Sequence, residues 1–173
     1  MWYVIQVSPS HEHEVLVQLD KFVKTGNEEF FIMRCLRYLR QKDASWDNVE
    51  ALAFPGYIFA KTDDINYLRE RLIKVPYLTK VLGAGNEVFP IYEEEEKLLM
   101  LIGGEDHLIK SSQAVRKGDN IVVIKGNLVG KEALIKWTNA HKRLACIELE
   151  IGGHKFKTKV GLEIVRRIDT EDK

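Results

Sequence analysis

The sequence predicts an α+β protein, an antiparallel sheet with helices followed by a small β-barrel. Three observations predict it. Up to about residue 104, apolar residues alternate between strand-like and helix-like spacing. Beyond that point helical periodicity vanishes, and short apolar runs separated by turn residues take over. The charge changes sign at the same place: residues 1–110 hold 13 Lys and Arg against 18 Asp and Glu, whereas residues 111–168 hold 12 against 5. A formally neutral chain of 173 residues with a basic C-terminal part suggests two jobs on two domains. The expected division is 1–104, a linker at 105–113, 114–168, and an acidic tail at 169–173.

Trp2 to Val7 is aromatic and β-branched and reads as a strand. Pro9 ends it, and Ser10 is placed to cap a helix from His11 whose buried face carries Val15, Leu16, Leu19, Phe22 and Val23. Thr25-Gly26-Asn27 stops that helix. Phe30 to Arg40 is a second strand region, and Lys42 to Asn48 is polar and turn-like. In the stretch from Val49 to Thr62, Phe54-Pro55-Gly56-Tyr57 bends the chain between two extended pieces. Asp63-Asp64 opens a helix with the apolar stripe Ile65, Leu68, Leu72 and Ile73, limited by Pro76. Tyr77 to Leu82 is a short strand closed by Gly83 and Gly85. Glu93 to Glu96 put four acids at a helix start, where the positive end of the helix dipole favours them, and Gly103-Gly104 ends that helix.

After a polar linker, Glu105 to Gln113, strands are expected at Ile121–Ile124, Glu132–Trp137, Leu144–Ile151, Lys155–Val160 and Glu163–Val165. Five strands in fewer than about 60 residues suggest a small closed barrel. One hairpin can be registered in advance. Gly152-Gly153 suits a two-residue turn, which sets Glu150 against Lys155, Glu148 against Lys157 and Leu149 against Phe156. Charged positions then share one face and apolar ones the other, making Lys155 and Lys157 cross-strand partners of glutamates rather than ligand contacts.

Several function classes are set aside. No apolar run approaches the ~20 residues that cross a bilayer, and the N-terminus lacks the pattern of a signal peptide. Cys35 and Cys146 are far apart, so a cytoplasmic protein with two reduced thiols is expected. Gly126 to Lys131 has three residues between its glycines where a phosphate loop needs four, and Glu132 stands where that loop needs Ser or Thr. His11 and His13 point about 200° apart on a helix, with Glu12 elsewhere, so they make no metal pair. No nucleophile–base constellation emerges. No enzyme activity, cofactor or metal is expected.

Three stretches together resemble the NusG family and cover nearly the whole chain: Trp2-Tyr3-Val4-Ile5-Gln6, then Phe54-Pro55-Gly56-Tyr57, then Lys117-Gly118-Asp119 through Lys125-Gly126-Asn127-Leu128-Val129-Gly130. The last resembles a KOW motif. The resemblance implies a ferredoxin-like N-terminal (NGN) domain that docks on the clamp helices of RNA polymerase and reduces pausing. It also implies an SH3-like KOW barrel that recruits other factors. By position, the docking surface would include Phe54, Tyr57 and Phe59, with Val81 and Leu82.

The departures from the family pattern narrow the resemblance. Gly126-Asn127-Leu128 stands where Gly-Pro-Phe is usual, Ala133 where a glycine is usual, and Tyr77 follows Pro76 where glycine is common. The loop Trp137 to Arg143 is basic and aromatic. This pattern is similar to the LoaP group of processive antiterminators, which implies a nascent-RNA hairpin as partner. Lys131, Lys136, His141, Lys142, Arg143 and Lys159 are the expected RNA contacts. Trp137 either stacks on a base or lies in the barrel core. The alternatives are a general NusG factor whose barrel binds Rho or a ribosomal protein, and a KOW-type RNA- or ribosome-binding protein. A monomer is expected, with a barrel that does not refold into helices.

Overall fold

The computed structural model describes residues 1–168; the acidic tail at 169–173 lies outside the described residues. In chain order the strands and helices are β1 (Trp2–Val7), α1 (Glu12–Gln18), β2 (Glu29–Phe31), β3 (Arg34–Arg40), β4 (Trp46–Leu52), β5 (Tyr57–Lys61), α2 (Ile65–Leu72), β6 (Leu78–Val81), β7 (Gly83–Ala84), β8 (Glu87–Val88), α3 (Glu93–Gly103), β9 (Leu108–Ile109), β10 (Ser112–Lys117), β11 (Asn120–Lys125), β12 (Ile135–Asn139), β13 (Leu144–Ile151) and β14 (His154–Ile168). They form two compact units. One comprises Met1–Met33, Phe54–Leu98 and Glu150–His154; the other comprises Arg34–Ala53, Leu99–Leu149 and the chain from Lys155.

The first unit is built on a four-stranded sheet in the order β2-β5-β1-β6. β1 runs antiparallel to β5, with Trp2 opposite Lys61, Val4 opposite Phe59 and Gln6 opposite Tyr57, and antiparallel to β6, with Ile5 opposite Val81. Strand alternation therefore puts Trp2, Val4, Gln6, Tyr57 and Phe59 on one face and Tyr3, Ile5, Ile58 and Val81 on the other. Trp2, Phe31, Phe59 and Phe54 pack as an aromatic cluster, with Trp2 and Phe31 edge to face at 4.8 Å and Phe31 stacked on Phe59 at 5.4 Å. Phe54, Phe59 and Leu82 are buried. A side chain without solvent contact presents nothing to a partner, so these three belong to the core and not to the expected docking surface.

The helix expected from His11 is shorter and differently capped. Ser10 takes a left-handed φ of 72° and does not cap; His11 precedes α1, with no side-chain cap bond. Leu19–Val23 continue as a π-helical turn, closed by Lys24 N–H donating to the Leu19 carbonyl five residues back. Val15, Leu19 and Val23 stay buried at a spacing of four, while Phe22 turns out to solvent. At α2, which starts where Asp63-Asp64 was expected to open a helix, the Asp64 carboxylate caps it by accepting from the Tyr67 N–H at 2.9 Å. Leu68 and Leu72 are buried, but Ile73 is exposed.

The loop between α1 and β2 is held to α2 by Arg71. Its guanidinium donates to the Val23 carbonyl, to Thr25 Oγ1 at 2.8 Å and to the Glu28 carboxylate, and it lies over the Tyr67 ring at 4.3 Å. Burial pushes the Glu28 carboxyl up, but bonds from Arg71 and from the Thr25 and Gly26 N–H groups outweigh it and hold the group down at about 2. A carboxyl depressed in the fold stabilises it fully above the unfolded value of 4.5 and ceases to do so as pH falls towards 2. The expected contribution is about 1–3 kcal/mol. Urea melts should show wild type losing its advantage over Glu28→Gln between those pH values; a constant difference would contradict the assignment.

Phe30 to Arg40 is not one strand. Buried Ile32 and Met33 interrupt it, so β2 and β3 belong to different sheets. In the second unit β3 pairs antiparallel with β4 and parallel with β9, which lies inside the stretch expected to be a polar linker. The five-stranded sheet runs β11-β10-β14-β13-β12. β10 was not expected from the sequence. The segment expected as a strand from Glu132 begins as a 3-10 turn, Glu132–Leu134. The two strands expected at 155–160 and 163–165 are one, β14. Gly161 lets it continue, because a Cβ there would fall on Ser111 Oγ and within 3.1 Å of the Leu36 carbonyl. Gly152 and Gly153 both take positive φ, 58° and 76°, as the expected hairpin turn demands. Lys157 reaches Glu148 at 3.4 Å, and Leu162 N–H donates to the Arg143 carbonyl, both matching the expected register.

Candidate functional site

In the first unit, three segments meet where β1 ends and β5 and β6 begin. Val7 N–H donates to the Gly56 carbonyl and Ser8 N–H to the Tyr77 carbonyl, each at 2.8 Å. Gly56, at φ 85°, donates its N–H to the Glu12 carboxylate at 2.6 Å. Glu12 is only 2% exposed, so a buried hydrogen bond ties the Pro55-Gly56-Tyr57 bend to the first turn of α1. The His11 ring stacks on Tyr77 at 3.8 Å, and its Nδ1 lies 3.2 Å from Glu14. His11 and Glu12 thus have structural partners. Among the described residues no group of three or more His, Cys, Asp or Glu is placed to hold a metal ion.

Of the expected docking residues, Tyr57 and Val81 keep partial exposure, but their side chains leave opposite faces of the sheet. Tyr57 instead begins β5 at the bend, at the sheet end where Tyr77 and His11 lie. Tyr77 is 46% exposed and takes φ 63°. The glycine usual at that place in the resembled family would adopt this conformation freely, whereas a tyrosine costs about 1–3 kcal/mol there. That exchange of Gly for Tyr was the sequence signal for Tyr77. Nothing comparable marked Glu12, since its partner lies 44 residues away.

In the second unit the expected RNA contacts separate. Lys136 and Trp137 are both exposed although consecutive, because the pairing of β12 with β13 shifts register between Ile135 and Trp137. Trp137 is 46% exposed and carries the Lys159 ammonium at 5.9 Å from its ring centroid, so it is not a core residue. Lys155, Lys157 and Lys159 point outward along β14 while Phe156, Thr158 and Val160 point in. His141 and Lys142 are exposed on the β12–β13 loop, whose turn is fixed by Lys142 N–H donating to Asn139 Oδ1. Lys131 is half-buried before the 3-10 turn.

Arg143 is engaged within the fold. Its guanidinium pairs with Glu163 at 3.1 Å and lies over Trp46 at 4.7 Å and Tyr38 at 5.7 Å. So held, Arg143 anchors the loop. The turn after β11 is also built in: Asn127 Nδ2 donates to the Ile102 carbonyl at 2.7 Å, and Leu128 is fully buried.

No helix among the described residues is long and apolar enough to cross a membrane. Residues 1–100 match the family model described as transcription termination factor NusG. A NusG structure from Thermotoga maritima, solved to address domain interaction, is similar over 94% of this chain and 93% of that one, with a TM-score of 0.56 and 19% identity. That likeness concerns the fold, which is the mixed α+β NusG architecture with a β-rich second part. No curated protein matches the chain. With a family model spanning more than half of its length, the chain belongs to the NusG family of transcription factors.

Proposed function

We propose that this chain is a LoaP-type transcription antitermination factor. It binds the clamp helices of RNA polymerase through an N-terminal domain, residues 1–104, and a nascent-RNA hairpin through the basic barrel at 114–168. It acts as a cytoplasmic monomer, without cofactor or catalysis. Tyr57, with Tyr77 beside the same bend, is the polymerase anchor, since aromatic side chains at a rigid turn give large contact area at low entropic cost. Lys131, Lys136, His141, Lys142 and Lys159 meet phosphates, and Trp137 meets a base. The observation that carries the RNA reading is the exposed Trp137 with a lysine over its ring. Burial is the commoner outcome for a tryptophan on a strand, so its exposure here supports a surface role.

The test uses the full-length protein, structured leader RNA and its scrambled version, titrated across salt. Tight binding that distinguishes the hairpin supports an RNA-guided antiterminator. Sequence-blind binding that disappears at physiological salt leaves a general factor whose barrel recognises Rho or a ribosomal protein. In parallel, Tyr57→Ala should weaken polymerase binding by about tenfold or more with the melting temperature little changed. Unchanged polymerase affinity would remove Tyr57 from the docking surface.

A further inference from the structure

The geometry points to the outer face of β12, β13 and β14 as a site for single-stranded polynucleotide with one unstacked base, Glu148 serving as the internal anion that an incoming phosphate replaces. This rests on the reading of the barrel as RNA-binding, and it brings in Lys155, Lys157 and Glu148, which the hairpin register had set aside as a self-satisfied ladder.

Charge stoichiometry is the first argument. Glu148 is the acid for three lysines at once: Lys157 at 3.4 Å, and Lys136 and Lys155 at 4.0 Å each. Glu150 lies two residues further along the same outward face of β13, so with Lys159 the face sets four lysines against two acids, of which, among the described residues, only Glu148 lies within 4.0 Å of a lysine. The lysine side chains of these three pairs remain 49–72% exposed, whereas Glu148 is only 18% exposed. Such long, solvated ion pairs are worth little, so transferring the ammonium groups to a phosphate loses little. Along β14, Lys155, Lys157 and Lys159 recur at steps of about 7 Å, a linear track of cations held in place by the buried residues between them.

The second argument is the bulge. In a regular strand Lys136 and Trp137 would leave opposite faces, and the tryptophan would enter the core or the lysine would. The register shift against β13 turns both outward and brings the indole to the far end of the lysine track, beside Lys159. An exposed π surface next to a cation is what a stacked base with its phosphate requires. Bases within a duplex are already stacked, so the ligand must present an unpaired one.

Fluorescence titration of the full-length protein with a short unstructured oligonucleotide, as RNA and as DNA of the same sequence, tests the site across salt concentrations. Lys155→Ala with Lys157→Ala should weaken binding and lower the salt slope by roughly 1–2. Glu148→Gln should tighten binding about threefold or more at low salt. Trp137→Leu should weaken it roughly 5- to 150-fold. Tighter binding to RNA assigns a transcript and tighter binding to DNA an unpaired DNA strand; both support the site. Binding that ignores the Lys155, Lys157 and Glu148 changes yet fails on Lys142→Ala and Trp137→Leu overturns the assignment while the RNA reading stands. Absence of binding to this oligonucleotide by the wild-type protein overturns the site, and absence of binding to the structured leader RNA as well overturns the RNA reading.

Discussion

Phe59→Ala should destabilise the protein by about 3–5 kcal/mol, the cost of emptying a large aromatic site in a packed core. Phe59 has no exposed surface, sits at the middle of β5 opposite Val4, and packs against Trp2, Phe31 and Phe54. The loss therefore includes both the transfer energy of the ring and its contacts with three other rings. Tyr57, two residues earlier on the same face, is half-buried at the bend and should lose far less. Urea denaturation followed by far-ultraviolet circular dichroism separates the two. A Phe59→Ala protein as stable as wild type would return Phe59 to the surface and sink the core assignment.

Gly126→Ala should cost about 2–5 kcal/mol, combining backbone strain with overpacking. Gly126 takes φ 103°, and a Cβ built there would lie 2.5 Å from Ser112 Oγ, 2.7 Å from Ser112 Cα and 2.8 Å from the Ser111 carbonyl. Two of those atoms are backbone, so the turn cannot yield by rotating a side chain. The displacement would also strain the Leu128 N–H bond to Ser112 Oγ and the Asn127 bond to the Ile102 carbonyl. Gly130 is the control: it has φ 71° but nothing within 4 Å of its missing Cβ, so Gly130→Ala carries only the conformational cost, about 1–2 kcal/mol. Equal losses in thermal melts of the two variants would show that the contact with Ser112 does not matter.

Several local signals read well, although the expected Ser10 cap did not form. The Asp64 cap, the acidic start of α3 and the Gly152-Gly153 turn each depend on residues within a few positions of one another. The π-helical turn at Leu19–Val23 did not read, because keeping Val15, Leu19 and Val23 in line against the sheet outweighed the α-helical spacing that would have buried Phe22. β9 and β10 did not read either. Two residues of β9 carry no periodicity, and they are strand only because β3 offers them a parallel edge.

The candidate surfaces divide in the same way. The sequence by itself determined the α+β class, the family motifs, the acidic and basic parts, and the residue types from which a docking surface and an RNA surface can be made. Tertiary structure alone decided which of those residues face outward: Phe54, Phe59 and Leu82 went into the core, and Arg143 went to Glu163, Trp46 and Tyr38. Trp137 was turned out by a one-residue shift in pairing. The physical reason is that chemistry belongs to a side chain, whereas exposure belongs to its neighbours, and here those neighbours lie tens of residues away along the chain.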